Sequence, residues 1–293
     1  MIILYNIDNM ARALRVEFPG ALHHAYARGV AKQAIYQSDE DRAAFLAILG
    51  TTVERYNWVI HAYCLMGNHY HLLVETPDAN LSAGMQDLNC VYAMHYNSAH
   101  ERVGHLFQGR YCATLVDREE YFLQAACYIV LNPVRAGLVE HPSQYPWSSY
   151  LGTAEGTGAP RFLSADDILR CFAGNRMAAR MLYRKFVEAG IDEETARRLE
   201  SGEVCGGEEF RARLRELIAG KRDIGEIPRR QRFAGRPPIE GIFDGCRDMA
   251  DRDERILRAV REYGYSRSEV ARCLELSPSL ISKIVKRAAG DMA

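Results

Sequence analysis

The strongest constraint on the fold is the hydrophobic period of the first half, which switches between two and about 3.6 residues. Residues 21–28 (ALHHAYAR) read as a strand. Residues 39–56 carry Phe45, Leu46, Leu49 and Val53 at helical spacing, behind Asp39 and Glu40 in the first turn. Residues 58–66 (WVIHAYCLM) are β-branched and aromatic, Gly67-Asn68 is a turn signal, and residues 69–75 (HYHLLVE) return as the second strand of a hairpin. Residues 80–99 repeat at helical spacing through Leu81, Met85, Leu88 and Tyr92. Residues 110–116 (RYCATLV) are strand-like, and 119–131 read as a helix that stops at the Asn132-Pro133 step. The order β-α-β-β-α-β-α predicts an α+β fold. Its first six elements make the split βαβ, ferredoxin-like arrangement, an antiparallel sheet with helices on one face.

Residues 151–160 (LGTAEGTGAP) are Gly-rich and are the expected boundary after a first domain at 10–150. A helical connecting region is expected over 160–238, with Leu182, Phe186, Phe210, Leu214 and Leu217 as candidate core positions. It closes on a basic, extended linker at 221–238 that ends in Arg-Pro-Pro. A third domain is expected at 250–289. Residues 253–263 read as one helix, and Ser266 with Glu269 forms a capping box that opens a second. Ser277-Pro278 supplies an N-cap and a first-turn proline for a third. Two short helices around a tight turn predict a helix-turn-helix, with Ser279, Ser282, Lys283, Lys286 and Arg287 as candidate DNA contacts. From residue 258 to 287 there are seven basic and three acidic residues, so the positive charge is local. A small trihelical packing module with a solvated basic face is the plain alternative.

The chain as a whole does not announce a polyanion binder: 37 Lys and Arg stand against 38 Asp and Glu. Eight cysteines are scattered with no C-x-x-C pair, which argues against a structural zinc site. The N-terminus, MIILYNIDNM, has no basic n-region or cleavage site, so a cytoplasmic location with reduced thiols is expected. Residues 1–9 read as an extension ahead of a more ordinary start at Met10.

All nine histidines lie between His23 and His141, which confines imidazole chemistry to the first half. Strand alternation points His69 and His71 to one face and Tyr70 to the other. Two imidazoles so placed can chelate one divalent ion, although an H-x-H alone also fits a sheet edge. Tyr128 and Asn132, four apart, share a helix face. The phenol is a candidate nucleophile and the amide oxygen a candidate third ligand. A core tyrosine followed by an Asn-Pro helix stop is the alternative.

Residues 10–150 resemble the REP-associated tyrosine transposases, a branch of the single-tyrosine HUH transposases of insertion sequences. The motifs are residues 12–20 (RALRVEFPG), 65–76 (LMGNHYHLLVET), 104–111 (GHLFQGRY), 128–139 (YIVLNPVRAGLV) and 145–150 (YPWSSY). The chain departs from the family's usual first strand at His23-His24-Ala25-Tyr26-Ala27-Arg28-Gly29, and Cys112 follows the Gly-Arg-Tyr stretch where a basic residue is common. The resemblance implies a metal on His69 and His71, Mg²⁺ or Mn²⁺, with Asn132 near it and Tyr128 as nucleophile. It implies single-stranded or hairpin DNA, from repetitive palindromic elements, as partner. Arg28, Arg110 and Arg135 are candidate phosphate contacts. The segment from about residue 240 resembles the helix-turn-helix of replication-initiator C-termini. The expected activity is metal-dependent nicking and rejoining through a 5′-phosphotyrosine, by a monomer or homodimer. A catalytically silent DNA-binding regulator and a water-using metal hydrolase remain as alternatives.

Overall fold

Four strands carry the sheet: β1 (Ala21–Arg28), β2 (Val59–Leu65), β3 (His69–Thr76) and β4 (Cys112–Val116). The structure, a computed structural model, describes residues 17–200, 204–218, 236–246 and 248–290. With a short fifth strand, β5 (Val204–Cys205), at one edge, the strand order is β2-β3-β1-β4-β5, and β1 pairs antiparallel with both β3 and β4, as β2 does with β3. That is the expected ferredoxin-like set. The edge strand β5 pairs parallel with β4, so the sheet is mixed and not purely antiparallel.

The two crossover helices, α1 (Asp39–Tyr56) and α2 (Leu81–Ala99), pack on one face. Ser38 and Asp41 cap α1 reciprocally, which satisfies two of its orphan N–H groups. Phe45, Leu49, Leu88 and Tyr92 meet Tyr70, Leu72 and Val74 of β3 in a dry core.

The opposite face is covered by α3 (Arg118–Arg135), α4 (Tyr150–Ala154), α5 (Ala165–Arg170), α6 (Arg176–Ala189) and α7 (Glu193–Glu200). Here α3 runs further than its sequence suggests. It passes through Pro133 to Arg135 instead of stopping at Asn132. A proline in a helix leaves the carbonyl four residues back without its N–H partner, here that of Ile129. The side-chain amide of Asn132 turns back to this turn, donating to the Tyr128 carbonyl at 3.0 Å and reaching the Ile129 carbonyl at 3.5 Å. The local side chain thus replaces part of what proline removes.

The Gly-rich stretch 151–160 is not where the chain divides. Among the described residues one compact unit runs from Glu17 to Gly207 and a second begins at Glu208. Gly152 sits where a Cβ would come within 2.9 Å of the Leu163 side chain, so this glycine permits close packing inside the first unit. The helices expected as a connecting region therefore separate: α5–α7 pack with the sheet, and helix Glu208–Ile218 belongs to the second unit. On α6 the buried stripe is Ala179, Tyr183 and Val187, whereas Leu182 is among the exposed large apolar residues. Phe186 and Phe210 are partly buried and Leu214 is fully buried.

In the second unit, helices Met249–Arg261, Arg267–Cys273 and Pro278–Gly290 enclose Ile256, Ala259, Val270, Ile281 and Ile284. The expected Ser266–Glu269 capping box is formed. Residues 274–277 link the last two helices, with Glu275 at a φ of 53°. The basic stretch expected as a linker falls mostly on 219–235, and the first transposase-like motif mostly on 12–16. Both lie outside the described residues, as do residues 1–9.

Candidate active site

Alternation along β1 sends Leu22, His24, Tyr26 and Arg28 to the α3 side of the sheet. The register sets Tyr26 opposite His71 and Arg28 opposite His69, so the β3 histidines share that face. α3 brings Tyr128 onto the same surface. The His69 and His71 rings stand nearly perpendicular with centroids 4.9 Å apart, and the Tyr128 ring lies 5.9 Å from His71. His69, His71 and Tyr128 are thus gathered as expected from the sequence. Asn132 lies one turn beyond Tyr128 and is buried, but its amide nitrogen serves the helix backbone, which leaves only its oxygen for another role.

The hydrogen bonds assign protons around the pair. Asn68 donates its amide nitrogen to the Lys32 carbonyl at 3.0 Å, so its oxygen faces His69 Nδ1 at 2.6 Å. His69 Nδ1 is therefore the protonated nitrogen, and Nε2 carries the lone pair. His71 Nδ1 lies 2.8 Å from Nε2 of a third histidine, His24. His71 Nε2 is buried and has no hydrogen-bond partner among the described residues. A buried imidazole nitrogen without a partner is unfavourable unless something binds there. His69 is partly exposed, and its ring stands beside that of His71.

Electrostatics keeps the rings neutral. Burial lowers His24 to about 4, against a smaller opposing effect of its bond to the Leu199 carbonyl. Burial also lowers His69 to about 4, helped by the Arg28 charge. His71 falls well below its ordinary value, again by burial first, then by its histidine neighbours and Arg28. Neutral imidazole is the metal-ligating form. Among the described residues no group of three or more His, Cys, Asp or Glu side chains is arranged to hold a metal ion.

Tyr128 is buried, and its hydroxyl donates to Glu200 Oε1 at 2.9 Å. Burial raises its pKa, Glu200 raises it further, and Arg135 and Asn132 oppose the rise. The Arg135 guanidinium lies over the Tyr128 ring, 5.5 Å from its centroid, and reaches Glu193 at 3.4 Å and Glu200 at 3.7 Å. An arginine expected to meet phosphate is thus already paired with carboxylates. Arg28 and Arg110 are exposed, at the end of β1 and just before β4.

In the second unit, Ser279, Lys283 and Arg287 are exposed. Ser282 bonds back to the Pro278 carbonyl at 2.9 Å, and Arg287 pairs with Asp253 at 3.2 Å. Lys286 is on the last helix, but its side chain is outside the described set.

Sequence reasoning missed His24, Leu199 and Glu200. His24 had a legible signal, since it is in phase with Tyr26 and Arg28 on a strand that must pair beside the H-x-H strand. The α7 residues had none, because no local pattern tells which distant helix end closes over a sheet face.

Comparison with known proteins gives two findings. Residues 23–131 match the family model described as IS200-like transposase. A solved structure of a REP-associated tyrosine transposase bound to a REP hairpin aligns at 15% identity with a TM-score of 0.41, over 59% of this chain and 93% of that one. No curated protein matches.

Proposed function

We propose that this chain, whose residues 23–131 match the IS200-like transposase model, nicks and rejoins single-stranded or hairpin DNA through a 5′-phosphotyrosine on Tyr128. The observation that supports it best is the meeting of Tyr128 with His69 and His71 on one sheet face.

A divalent ion, Mg²⁺ or Mn²⁺, would be held by His69 and His71, with the Asn132 oxygen as a third candidate. When bound, it would draw charge from a non-bridging phosphate oxygen. The rest falls to the chain's own residues. The Tyr128 oxygen bonds to phosphorus as the bond from phosphorus to the 3′ oxygen breaks. The phenol proton passes to the Glu200 carboxylate, to which it already points, and the departing 3′ oxygen takes a proton from water. One phosphoester replaces another, so a 3′-hydroxyl can reverse the step and join strands without a further energy source. Arg28 and Arg110 would hold flanking phosphates. Arg135 would offset the Glu200 charge before it could meet DNA. A flexible single strand or hairpin suits the site, because a duplex would hold its scissile phosphate away from a sheet face. Ser279, Ser282, Lys283, Lys286 and Arg287 would add contacts if the last helices act as a helix-turn-helix.

The test is covalent capture. A hairpin oligonucleotide incubated with the full chain and Mn²⁺ should leave a protein–DNA adduct, and peptide mass mapping should put it on Tyr128. An adduct on Tyr26, Tyr111 or Tyr121 would overturn the assignment. The second reading, a silent DNA-binding regulator, draws on the burial of Tyr128 and its engagement with Glu200. It requires hairpin binding with no adduct in any metal.

A further inference from the structure

His71 has two nitrogens, and a metal can use the buried Nε2 only if the proton sits on Nδ1. A neutral histidine side chain free in water prefers the opposite tautomer, Nε2–H. Something in the fold must therefore choose.

The chain of contacts behind His71 makes that choice. It starts at the end of α7, where carbonyls lack intrahelical partners. The Leu199 carbonyl accepts from the Thr114 hydroxyl at 2.9 Å, and His24 Nδ1 lies 3.1 Å from the same oxygen. A carbonyl can only accept, so His24 carries its proton on Nδ1. A neutral His24 then has a lone pair on Nε2, which lies 2.8 Å from His71 Nδ1. Two lone pairs cannot face each other at that distance, so His71 Nδ1 must be the donor. His71 Nε2 is left bare and turned to no partner among the described residues.

Three features make the arrangement hard to reverse. His24 and Thr114 are fully buried, and the His71 ring is nearly so. Water therefore cannot replace either partner cheaply. The His24 and His71 rings lie 5.0 Å apart and only 21° from parallel, with Tyr128 edge-on to both. The carbonyl is held in place because α7 is anchored by Ala196 and Leu199, both fully buried, and β5 pairs with β4 just beyond it.

We infer that His24 is a positioning residue for metal binding: taking its orientation from the Leu199 carbonyl, it locks His71 in the Nδ1–H tautomer and so presents Nε2 beside His69. The inference rests on the proposed metal role of the His69–His71 pair. It also extends the site to residue 199, well past the matched family segment. Outer partners of this kind typically change metal affinity by about 10- to 100-fold.

The primary experiment needs no metal and no activity. Long-range ¹H–¹⁵N spectra of the ¹⁵N-histidine-labelled full chain, metal-free at pH 7, report the tautomer of each ring. Both His24 and His71 should be Nδ1–H. An Nε2–H form of His71 overturns the inference, whatever the chain does with DNA.

The second measurement is titration with Mn²⁺ alone. His24→Phe keeps a ring but offers no acceptor, and should weaken Mn²⁺ binding about 10- to 100-fold and release His71 from the Nδ1–H form. His24→Gln can accept from His71 and donate to Leu199, and should bind within a few-fold of the parent chain. Parent-like binding by a folded His24→Phe variant overturns the inference. If His24→Phe does not fold, the parent tautomer spectrum still decides. A parent chain that binds no Mn²⁺ but shows both Nδ1–H tautomers would sink the metal reading and the positioning role with it, while leaving the hydrogen-bond chain intact.

Discussion

The two faces of the sheet are built from the same strands and do opposite things. On the α1/α2 face, Phe45 packs 4.7 Å from Tyr70 and 5.0 Å from Tyr92 between ring centroids, and the phenols of those tyrosines are spent on Asn89 and on the Ile35 carbonyl. On the α3/α7 face, His24, His69, His71 and Tyr128 are as close to one another, yet His71 Nε2 is buried without a partner among the described residues and the Tyr128 phenol meets a carboxylate. Aromatic density is alike on both sides. What differs is the kind of polar group: the α1/α2 face holds phenols among apolar side chains, that of Tyr36 buried without a partner among the described residues, whereas the α3/α7 face gathers three imidazoles beside a phenol.

The sharpest way to break this contrast is Tyr128→Phe. It removes one oxygen and keeps the ring, so stability should change by no more than about 1 kcal/mol. Adduct formation and nicking on a hairpin should vanish, which a denaturing gel and a melting curve read together. Residual nicking would mean another nucleophile.

Phe45→Ala is the matching probe of the α1/α2 face. Truncating a fully buried ring should destabilise the chain by about 3–5 kcal/mol, seen as a lower urea midpoint. At temperatures where the variant is folded, its Mn²⁺ affinity should match that of the parent. A large loss of affinity would show that the faces are coupled.

A third test uses acid. His24 has its proton affinity lowered to about 4 by burial, while an unfolded histidine titrates near 6.5. Between those values the unfolded chain holds the proton and the folded chain does not, so stability should rise with pH across this window. It is complete above about pH 6.5 and is lost as pH falls towards 4. A displacement of that size is worth about 3 kcal/mol. Urea midpoints at pH 7, 5.5 and 4.5 should show the loss, and His24→Gln should flatten part of it. A flat profile for the parent would mean that these rings are not held neutral.

The smallest effects separate the two ligands. His69 is partly exposed and His71 is buried. Both alanine variants should lose Mn²⁺ binding, but His69→Ala should cost no more than about 1 kcal/mol of stability and His71→Ala roughly 2 kcal/mol or more. Equal costs would argue that His71 is less embedded than its surroundings indicate.

How much of this was legible beforehand follows from the range of the interactions involved. The period switches in 21–131 specified β1–β4 and α1–α3 nearly to their ends, because alternation and helical spacing are local consequences of burying one face. The same local rule put His69 and His71 together and set Tyr128 and Asn132 on one helix face. The helix over Pro133 is not legible in this way, because a proline read alone says stop and the rescue by Asn132 depends on a side-chain direction. The stretch 151–160 is ambiguous in sequence because glycine signals a break and a close approach equally well, and Gly152 serves the second.

What only the tertiary structure decided is the back wall of the site. Nothing near Leu199 or Glu200 in sequence points to a histidine on the first strand or a tyrosine on the third helix. Their meeting depends on α7 folding back over the sheet and on β5 extending it. The sequence by itself determined which groups could do chemistry, since residue type and local period are enough for that. The fold decided which protons they hold, because a tautomer is set by the partner across space and not by the neighbour in the chain.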